Sequence, residues 1–408
     1  MNSRRVVITG LGAIAPNGIG KEAFWKALIG GRSGIGRITR FDPSKYSSQV
    51  AGEVRAFDPT GYVSKKEAEK MGRATQFAVA AAQMALADAG FEGAREGSER
   101  KGVVIGHATM VMDVTEEQHN AFKEGDDPSR IHPIAVPMIA VGTPAAAVAL
   151  RLGSQDSLIT LSTNCTAGLN AIGYAAEQIK QGRLDLAVAG GTSAVLTPYL
   201  FGCFCAAKGS LTPNRDPARA SRPFDRERDG AVYAEGAGMV ILEPLEAAQA
   251  RGASIYGEVL GYMEGNRTAL RESQGLSETI RLVLKKTHLR PEDIDYICAH
   301  SLSHPQLDLQ ETLAIKDAFQ EHSYRVPISA IKSMIGHPGT ASGPLQLIAA
   351  AMAIREGWIP PTIHYEHPDP QCDLDYVPNE SRRNRVDVVL INAGGLGGME
   401  SCLVIRRV

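Results

Sequence analysis

The stretch from Leu161 to Gly173, "LSTNCTAGLNAIG", places Cys165 where a β-rich run gives way to a helical one. Unpaired backbone N–H groups at the start of a helix favour a thiolate, and we expect them to lower the pKa of Cys165. The same N–H groups can hold a developing oxyanion, and the small neighbouring residues leave room for a substrate. On these grounds Cys165 is either a nucleophile or a buried inert thiol.

Two histidines also stand at positions where chemistry is possible. His300 ends the run "DYICAH", and His337 lies in "KSMIGHPG", five residues after Lys332. Neutral imidazoles can donate to a carbonyl oxygen, accept a proton or stabilise an enolate. Each histidine alone is compatible with a structural role, but together with Cys165 they form a coherent set for carbon–carbon chemistry on thioesters.

The elements that must position these residues alternate between strand-like and helix-like segments, which predicts an α/β protein. Several strand segments are apolar throughout, as expected when helices cover both faces of a sheet. The predicted strands are Val103–Ile105, Leu158–Leu161, Leu186–Ala189, Gly238–Leu242, Ile294–Cys298 and Val388–Ile391. The predicted helices are Gln76–Ala89, Leu169–Lys180, Leu276–Lys286 and Leu345–Arg355.

Two segments repeat one order: a strand, a reactive residue, and a helix that ends at a glycine. The first runs from 158 to 182 around Cys165, and the second from 326 to 357 around His337. We therefore expect a duplicated architecture.

The length of 408 residues suits two packed halves of about 150–200 residues each. We expect residues 1–247 to form an N-terminal half with the nucleophilic cysteine, and residues 248–408 a C-terminal half with both histidines.

Charge and cysteine usage narrow the function classes. The formal net charge is −2 and no basic cluster stands out, which argues against nucleic acid as a partner. None of the six cysteines forms a CxxC pair or has a metal-like histidine spacing, so we expect no metal site. Scattered free thiols favour a reducing, cytoplasmic compartment.

The N-terminal run "SRRVVITGLGAIA" could imitate an export signal, but Gly10 and Gly12 break its apolar stretch and Pro16 follows. We interpret Val6–Thr9 as a buried strand that runs into a glycine turn. The same "GLGAIA" fits a dinucleotide-binding pattern, yet Pro16 interrupts the helix it should open, and no strand ending in an acidic residue follows. No apolar run reaches the roughly 20 residues of a membrane span.

Longer motifs are spread over nearly the whole chain. They are "RRVVITGLGAIAPNG", "NCTAG", "LAVAGGTSAV", "SRPFDRERDGAVYAEGAGMVILE", "AH" at His300, "IKSMIGHPGTASG" and "NAGGLGG". With these motifs the chain resembles a β-ketoacyl-acyl carrier protein synthase of the thiolase superfamily, close to the synthase II type and the type II polyketide ketosynthases. The resemblance implies a thiolase-like α/β fold with two halves in a five-layered α-β-α-β-α arrangement. It also implies a homodimer, or a heterodimer with a chain-length-factor-like subunit.

The resemblance assigns roles residue by residue. Cys165 would take an acyl chain from phosphopantetheine delivered on an acyl carrier protein, so no cofactor would be bound to the enzyme itself. His300 and His337 would assist decarboxylation of a malonyl thioester and stabilise the enolate. The backbone N–H groups of Cys165 and Leu396 would form the oxyanion hole.

The resemblance gives roles to two further residues, and three features of the chain depart from the family. Lys332 would pair with Glu311 and organise the imidazoles. In the C-terminal glycine loop Leu396 stands where the family commonly has phenylalanine, and Glu400 where relatives often have asparagine. The loop Met263–Gly275 also looks shorter than in typical synthases.

The run "HSLSHP" departs from the family's Gly-Thr-Ser-Thr-Pro, because Leu302 and His304 replace two threonines that bind the pantetheine. Leucine cannot make such a hydrogen bond, and histidine would make a different one. We expect Ser301, Ser303 and His304 to face the substrate.

The resemblance also implies an acyl pocket lined by residues near Thr109 and Met110 and, across the dimer, by Ile134–Ala135. Ala135 falls where some relatives carry a bulky aromatic residue, so a longer or bulkier chain would fit.

Competing interpretations share the scaffold. The chain could be an acyltransferase or a malonyl decarboxylase that uses the acyl-cysteine without chain extension. A thiolase is disfavoured because Cys402 lacks the context of a second catalytic cysteine. Intact Cys165, His300 and His337 argue against a non-catalytic partner subunit.

Overall fold

The computed structural model describes residues 4–91, 100–154, 156–266 and 274–408. The strands are β1 (Val6–Ala15), β2 (Gly18–Ile19), β3 (Ile35–Arg37), β4 (Val50–Gly52), β5 (Lys101–Gly106), β6 (Ser157–Leu161), β7 (Leu186–Ala194), β8 (Glu235–Pro244), β9 (Gly257–Asn266), β10 (Tyr296–Cys298), β11 (Ile328–Ser329), β12 (Trp358–Ile359), β13 (Arg382–Arg383), β14 (Val388–Gly394) and β15 (Met399–Arg406). The helices are α1 (Lys21–Ile29), α2 (Lys65–Ala68), α3 (Arg73–Asp88), α4 (Met112–Lys123), α5 (Ala135–Ile139), α6 (Thr143–Leu152), α7 (Ala167–Lys180), α8 (Pro198–Ala206), α9 (Pro217–Ala220), α10 (Leu245–Ala250), α11 (Gln274–Thr287), α12 (Pro305–Phe319), α13 (Lys332–Ile335) and α14 (Ser342–Glu356).

Strand pairing confirms the duplication. The first half runs β1-β8-β7-β5-β6, and the second half runs β9-β15-β14-β10-β11. In both halves the first two pairings are antiparallel and the last two are parallel. β1 and β9 join the halves through only two residue pairs, Val7 with Glu258 and Ile8 with Gly257.

The predicted five layers are confirmed. Helices α7 and α14 pack on each other and contact strands of both halves, so they form the middle layer. Helices α3 and α6 cover the outer face of the first half, and α11 with α12 covers the second. The largest apolar cluster lies between the two halves of the sheet, because the middle helices bury one face against each half.

Gly10 and Gly12 do not form the turn that we expected, because β1 continues through both glycines to Ala15. A Cβ on Gly10 would lie 2.1 Å from the carbonyl oxygen of Ala85, and one on Gly12 would lie 1.9 Å from that of Ala81. The glycines therefore let helix α3 approach the strand closely. A dinucleotide-binding turn has no place inside this buried strand.

The second repeat also differs from its prediction. The strand expected at 326–331 is reduced to β11, and the short helix α13 separates it from His337. His337 thus follows a helical turn and not a strand. The proposed boundary between residues 247 and 248 falls within α10, and it remains a proposal. Within the described ranges, no helix is long and apolar enough to cross a membrane.

Candidate active site

Cys165 lies in a 3₁₀ turn, Asn164–Thr166, between β6 and the start of α7. Its own backbone N–H and that of Leu396 each act to lower the pKa of its thiol. Leu396 follows β14, and the side chain of Asn164 donates to its carbonyl oxygen at 3.0 Å. This bond ties the glycine-rich loop of the second half to the cysteine turn of the first half.

The expectation of a lowered thiol pKa is wrong. Burial raises the pKa of Cys165 to about 11 and outweighs the lowering by the Lys332 ammonium and the two N–H groups. A thiolate in this setting loses more hydration than the few nearby dipoles return. The resting residue is therefore a neutral thiol.

His337 is the imidazole that touches this thiol. Its Nε2 lies 3.1 Å from Cys165 Sγ, and its Nδ1 lies 3.1 Å from Ser342 Oγ. Burial, with a further contribution from Lys332, lowers the pKa of His337 to about 3, so the ring is neutral. Because the Ser342 hydroxyl can donate or accept, it is compatible with either tautomer of the ring.

His300 lies two residues beyond β10, with its ring centre 5.6 Å from that of His337 and perpendicular to it at 89°. Its main chain is held from two sides. Glu311 accepts from the His300 N–H at 2.9 Å, and the Lys332 ammonium donates to the His300 carbonyl oxygen at 2.6 Å.

The direct ion pair that we expected between Lys332 and Glu311 is not formed. Lys332 donates to the carbonyl oxygen of His300 and to Gln346 Oε1 at 3.0 Å. The Glu311 carboxylate is occupied by the backbone N–H groups of His300 and Ser301, the Ser301 hydroxyl and the Asn392 amide. Both groups therefore organise His300 through its peptide, without touching each other.

Gln346 is a residue that our sequence reasoning missed. It is fully buried on α14, where its side-chain NH₂ group lies within hydrogen-bond distance of three carbonyl oxygens and its Oε1 accepts from the Lys332 ammonium. The three acceptors are Cys298, Ala299 and Asn392. The sequence signal that could have identified it is a single amide side chain within the apolar run "LQLIAAAMAI" of a predicted helix.

Two cavities meet at Cys165, Tyr233 and Leu396. The first, which we call the cleft, has a volume of about 220 Å³. The second, which we call the inner cavity, has a volume of about 60 Å³. The cleft is lined by Cys165, Ser210, Ala231, Tyr233, Leu276, His300, Leu302, His304, Leu307, Gln310, Glu311, His337, Gly394–Gly398 and Glu400. The inner cavity is lined by His107–Thr109, Asn164, Cys165, Ser193, Val195, Phe204, Tyr233, Gly339, Thr340 and Leu396.

Only one of the residues expected to line the acyl pocket lines either of these two cavities. Thr109 lines the inner cavity, but Met110 is 44% exposed and Ala135 is buried at the start of α5. Neither Met110 nor Ala135 lines either cavity.

The "HSLSHP" run is only partly turned toward the cleft. Leu302 and His304 line it, whereas Ser301 and Ser303 do not, contrary to our expectation. Both serines are buried and have partners inside the protein. The Ser301 hydroxyl donates to Glu311 at 2.7 Å, and the Ser303 hydroxyl accepts from the Arg222 N–H at 3.1 Å.

His304 has a structural role as well as a place in the cleft wall. Its Nδ1 accepts from the backbone N–H groups of Gln306 and Leu307 at 3.2 and 3.4 Å, which makes it the N-cap of α12. Burial lowers its pKa, so the neutral ring keeps Nδ1 available as an acceptor.

Glu400 places a buried carboxylate in the cleft wall beside His300. A methyl group built on Gly394 would lie 3.3 Å from His300 Nε2 and 3.4 Å from Glu400 Oε2. Glu400, where relatives often have asparagine, therefore lies next to a reacting group.

The loop at 263–275 lies partly outside the described residues. Among the residues described, no group of three or more His, Cys, Asp or Glu side chains could hold a metal ion.

Comparison with known proteins agrees with this geometry. The sequence matches the family descriptions "Beta-ketoacyl synthase, N-terminal domain" over residues 3–248 and "Beta-ketoacyl synthase, C-terminal domain" over residues 256–366. It is 42% identical over 412 residues to a 3-oxoacyl-[acyl-carrier-protein] synthase 2 of Synechocystis, covering 100% of this chain and 99% of that protein. It is also 42% identical to the tetracenomycin polyketide synthase ketoacyl synthase alpha subunit of Streptomyces glaucescens, covering 99% of this chain and 97% of that one.

Two solved structures have the same fold over the whole chain. The ishigamide ketosynthase/chain length factor superposes with a TM-score of 0.93 at 35% identity, covering 100% of both chains. A type II polyketide synthase acyl-carrier protein in complex with its ketosynthase bound to the hexaketide gives a TM-score of 0.91 at 34% identity, again covering 100% of both chains.

Proposed function

This chain belongs to the beta-ketoacyl synthase family, and from this premise we propose that it condenses an acyl group held on Cys165 with malonyl-acyl carrier protein. The product is a β-ketoacyl-acyl carrier protein made in fatty acid or type II polyketide synthesis. The observation that carries the proposal is the contact of 3.1 Å between His337 Nε2 and Cys165 Sγ, at the point where the two cavities meet.

The first half-reaction loads the enzyme. Cys165 Sγ forms a bond to the carbonyl carbon of the acyl thioester as its proton passes to His337 Nε2. The bond from that carbon to the pantetheine sulfur breaks, and His337 gives its proton to the departing pantetheine thiolate, which leaves as a thiol. His337 is placed for this step by the contact of its Nε2 with Sγ, and its lowered pKa means that it holds the proton only transiently.

The second half-reaction extends the chain. The malonyl carboxylate leaves as CO₂, and its bonding electron pair forms a thioester enolate whose oxygen lies against His300 and His337. The enolate carbon attacks the acyl-Cys165 carbonyl, and the carbon–sulfur bond breaks. The Cys165 thiolate then regains a proton from solvent, as its raised pKa favours.

Backbone N–H groups of Cys165 and Leu396 form the oxyanion hole in this proposal. Both N–H groups lower the pKa of the Cys165 thiol, so they lie beside the atom that would carry the acyl group, and they could donate to the negative charge that develops on its carbonyl oxygen. Asn164 holds the Leu396 peptide in place through its carbonyl oxygen.

The partners follow from the same chemistry. An acyl carrier protein delivers both substrates on phosphopantetheine, which enters through the cleft. A second subunit completes the assembly, either another copy of this chain or a chain-length-factor-like partner. A reducing, cytoplasmic compartment suits the six free cysteines, of which Cys203 is exposed.

The test is a panel of acyl-carrier proteins incubated with the enzyme and malonyl-carrier protein. Mass spectrometry follows both Cys165 acylation and the released product, with Cys165→Ala as the control. A β-ketoacyl product longer by two carbons that requires Cys165 supports the proposal. Acylation without extension, in the presence of both subunits, would instead identify an acyltransferase.

A further inference from the structure

The inner cavity contains an imidazole that the proposed mechanism does not use. His107 directly follows β5 and is 2% exposed. Its Nδ1 lies 3.0 Å from the carbonyl oxygen of Thr192 on β7. Because a carbonyl oxygen can only accept, Nδ1 carries the proton of this hydrogen bond.

The other ring nitrogen is then an acceptor. Burial lowers the pKa of His107, and this effect exceeds the raising by the Thr192 carbonyl and by Asp113, so the ring is neutral. A neutral ring protonated at Nδ1 presents a lone pair at Nε2. Nε2 is buried and has no hydrogen-bond partner among the residues that the structure describes.

Two polar groups of the cavity wall, the Thr340 hydroxyl and the Asn164 amide, already have partners in the protein. The Thr340 hydroxyl donates to the Thr192 carbonyl oxygen at 2.5 Å, and the Asn164 amide donates to Leu396. Buried polar atoms in folded proteins nearly always have a partner, so an acceptor in this cavity indicates a donor that arrives from outside the chain. About 60 Å³ is room for a short segment of substrate or for a few water molecules.

We propose that His107 Nε2 accepts a hydrogen bond from a hydroxyl group on the acyl chain bound at Cys165, so that the enzyme selects hydroxyacyl over unfunctionalised acyl substrates. This inference rests on the proposed function, because it requires the acyl group to enter the inner cavity from Cys165. A plain alkyl chain leaves Nε2 without a donor. A hydroxyl close to the thioester fits the small volume and donates a hydrogen bond to Nε2. A charged amine would lose much more hydration in the same space.

The experiment measures the acylation rate of Cys165 by mass spectrometry, with pantetheine thioesters in place of carrier proteins. The acyl groups are butyryl, 3-hydroxybutyryl of both configurations and 4-hydroxybutyryl. We expect wild type to prefer at least one hydroxylated thioester over butyryl by about 5- to 150-fold, the range typical of leaving one buried polar group unsatisfied.

Two substitutions separate the ring nitrogens. His107→Asn keeps an N–H group near Nδ1 for the Thr192 carbonyl but removes the Nε2 acceptor, and we expect it to abolish the preference. His107→Gln keeps a polar atom near Nε2, and we expect it to retain part of the preference. The ratio of two substrates within one variant does not depend on how much of that variant is folded.

Each outcome decides the question. Equal acylation by butyryl and all hydroxylated thioesters overturns the inference and leaves the proposed function intact, with water as the partner of Nε2. An unchanged preference in His107→Asn also overturns it. If neither these thioesters nor the acyl-carrier proteins of the panel acylate Cys165, the proposed function fails and the inference fails with it.

Discussion

Cys165 and His337 are in contact through Sγ and Nε2 at 3.1 Å, yet burial moves their proton affinities apart. The pKa of the thiol is raised to about 11, and that of the imidazole is lowered to about 3. The resting pair is therefore a neutral thiol beside a neutral imidazole. Proton transfer must accompany attack on the substrate.

This relationship predicts how Cys165 reacts with iodoacetamide. Since the thiolate is the reactive form, we expect its alkylation rate to rise about tenfold per pH unit from pH 7 to pH 10. Peptide mass spectrometry reads the modification of Cys165 itself, apart from that of the exposed Cys203. A rate that levels off below pH 8 would show a thiolate already formed at neutral pH.

The two histidines should affect different steps. His337 contacts Sγ, so His337→Ala should slow Cys165 acylation by roughly 10²- to 10⁴-fold. His300→Ala should leave acylation within a few-fold of wild type and abolish condensation. His300 lines the cleft with its ring centre 5.6 Å from that of His337, and His337 is the ring that contacts Sγ. Single-turnover acylation and release of CO₂ from malonyl-carrier protein separate the steps. Equal loss of acylation in both variants contradicts this division.

Gln346 should contribute to stability through its four buried hydrogen bonds. Gln346→Leu leaves Lys332 and three carbonyl oxygens short of a partner, and we expect unfolding to require at least about 2 kcal/mol less free energy. Gln306→Leu, the same substitution at an exposed position of α12, should stay within about 0.5 kcal/mol of wild type. Denaturant unfolding at one fixed protein concentration compares them, and similar losses would refute the prediction.

We predict that the main role of His304 is to cap helix α12. His304→Ala removes the acceptor for two N–H groups of α12 and should destabilise the protein by about 1 kcal/mol. His304→Asn supplies a good N-cap and should restore that stability. If His304 serves mainly to bind pantetheine, both variants will instead raise the KM for the carrier protein while leaving unfolding unchanged.

Ala135 remains a prediction about chain length. Ala135→Phe should shorten the acyl chains that are accepted, because a bulky ring would fill space contributed across the dimer. Competition among acyl-carrier proteins of increasing length measures the preference, and size-exclusion chromatography verifies that the assembly is intact. An unchanged preference in an intact assembly would count against a role for Ala135.

Much of the architecture could be predicted from local pattern. Apolar runs predicted the strands, and the repeated order around Cys165 and His337 predicted the duplicated halves, because strand and helix periodicity is a property of neighbouring residues. The motifs around Cys165, His300 and His337 likewise identified the family, since their residue types and short spacings are visible in the chain itself.

Other features were decided only by the tertiary structure. Whether Lys332 meets Glu311 or the His300 carbonyl depends on how α12, α13 and β10 pack, and no local spacing encodes that choice. The same holds for Ser301 and Ser303, whose hydroxyl groups find partners inside the protein.

The protonation state of Cys165 shows the physical reason most clearly. Its position before a helix is written in the sequence, and this local dipole taken alone favours the thiolate. The loss of hydration that overrides it comes from burial among residues far apart in the chain, including His337 and Leu396 of the second half. The sequence by itself determined which groups could react, and the packing of distant segments decided in which charge state they rest.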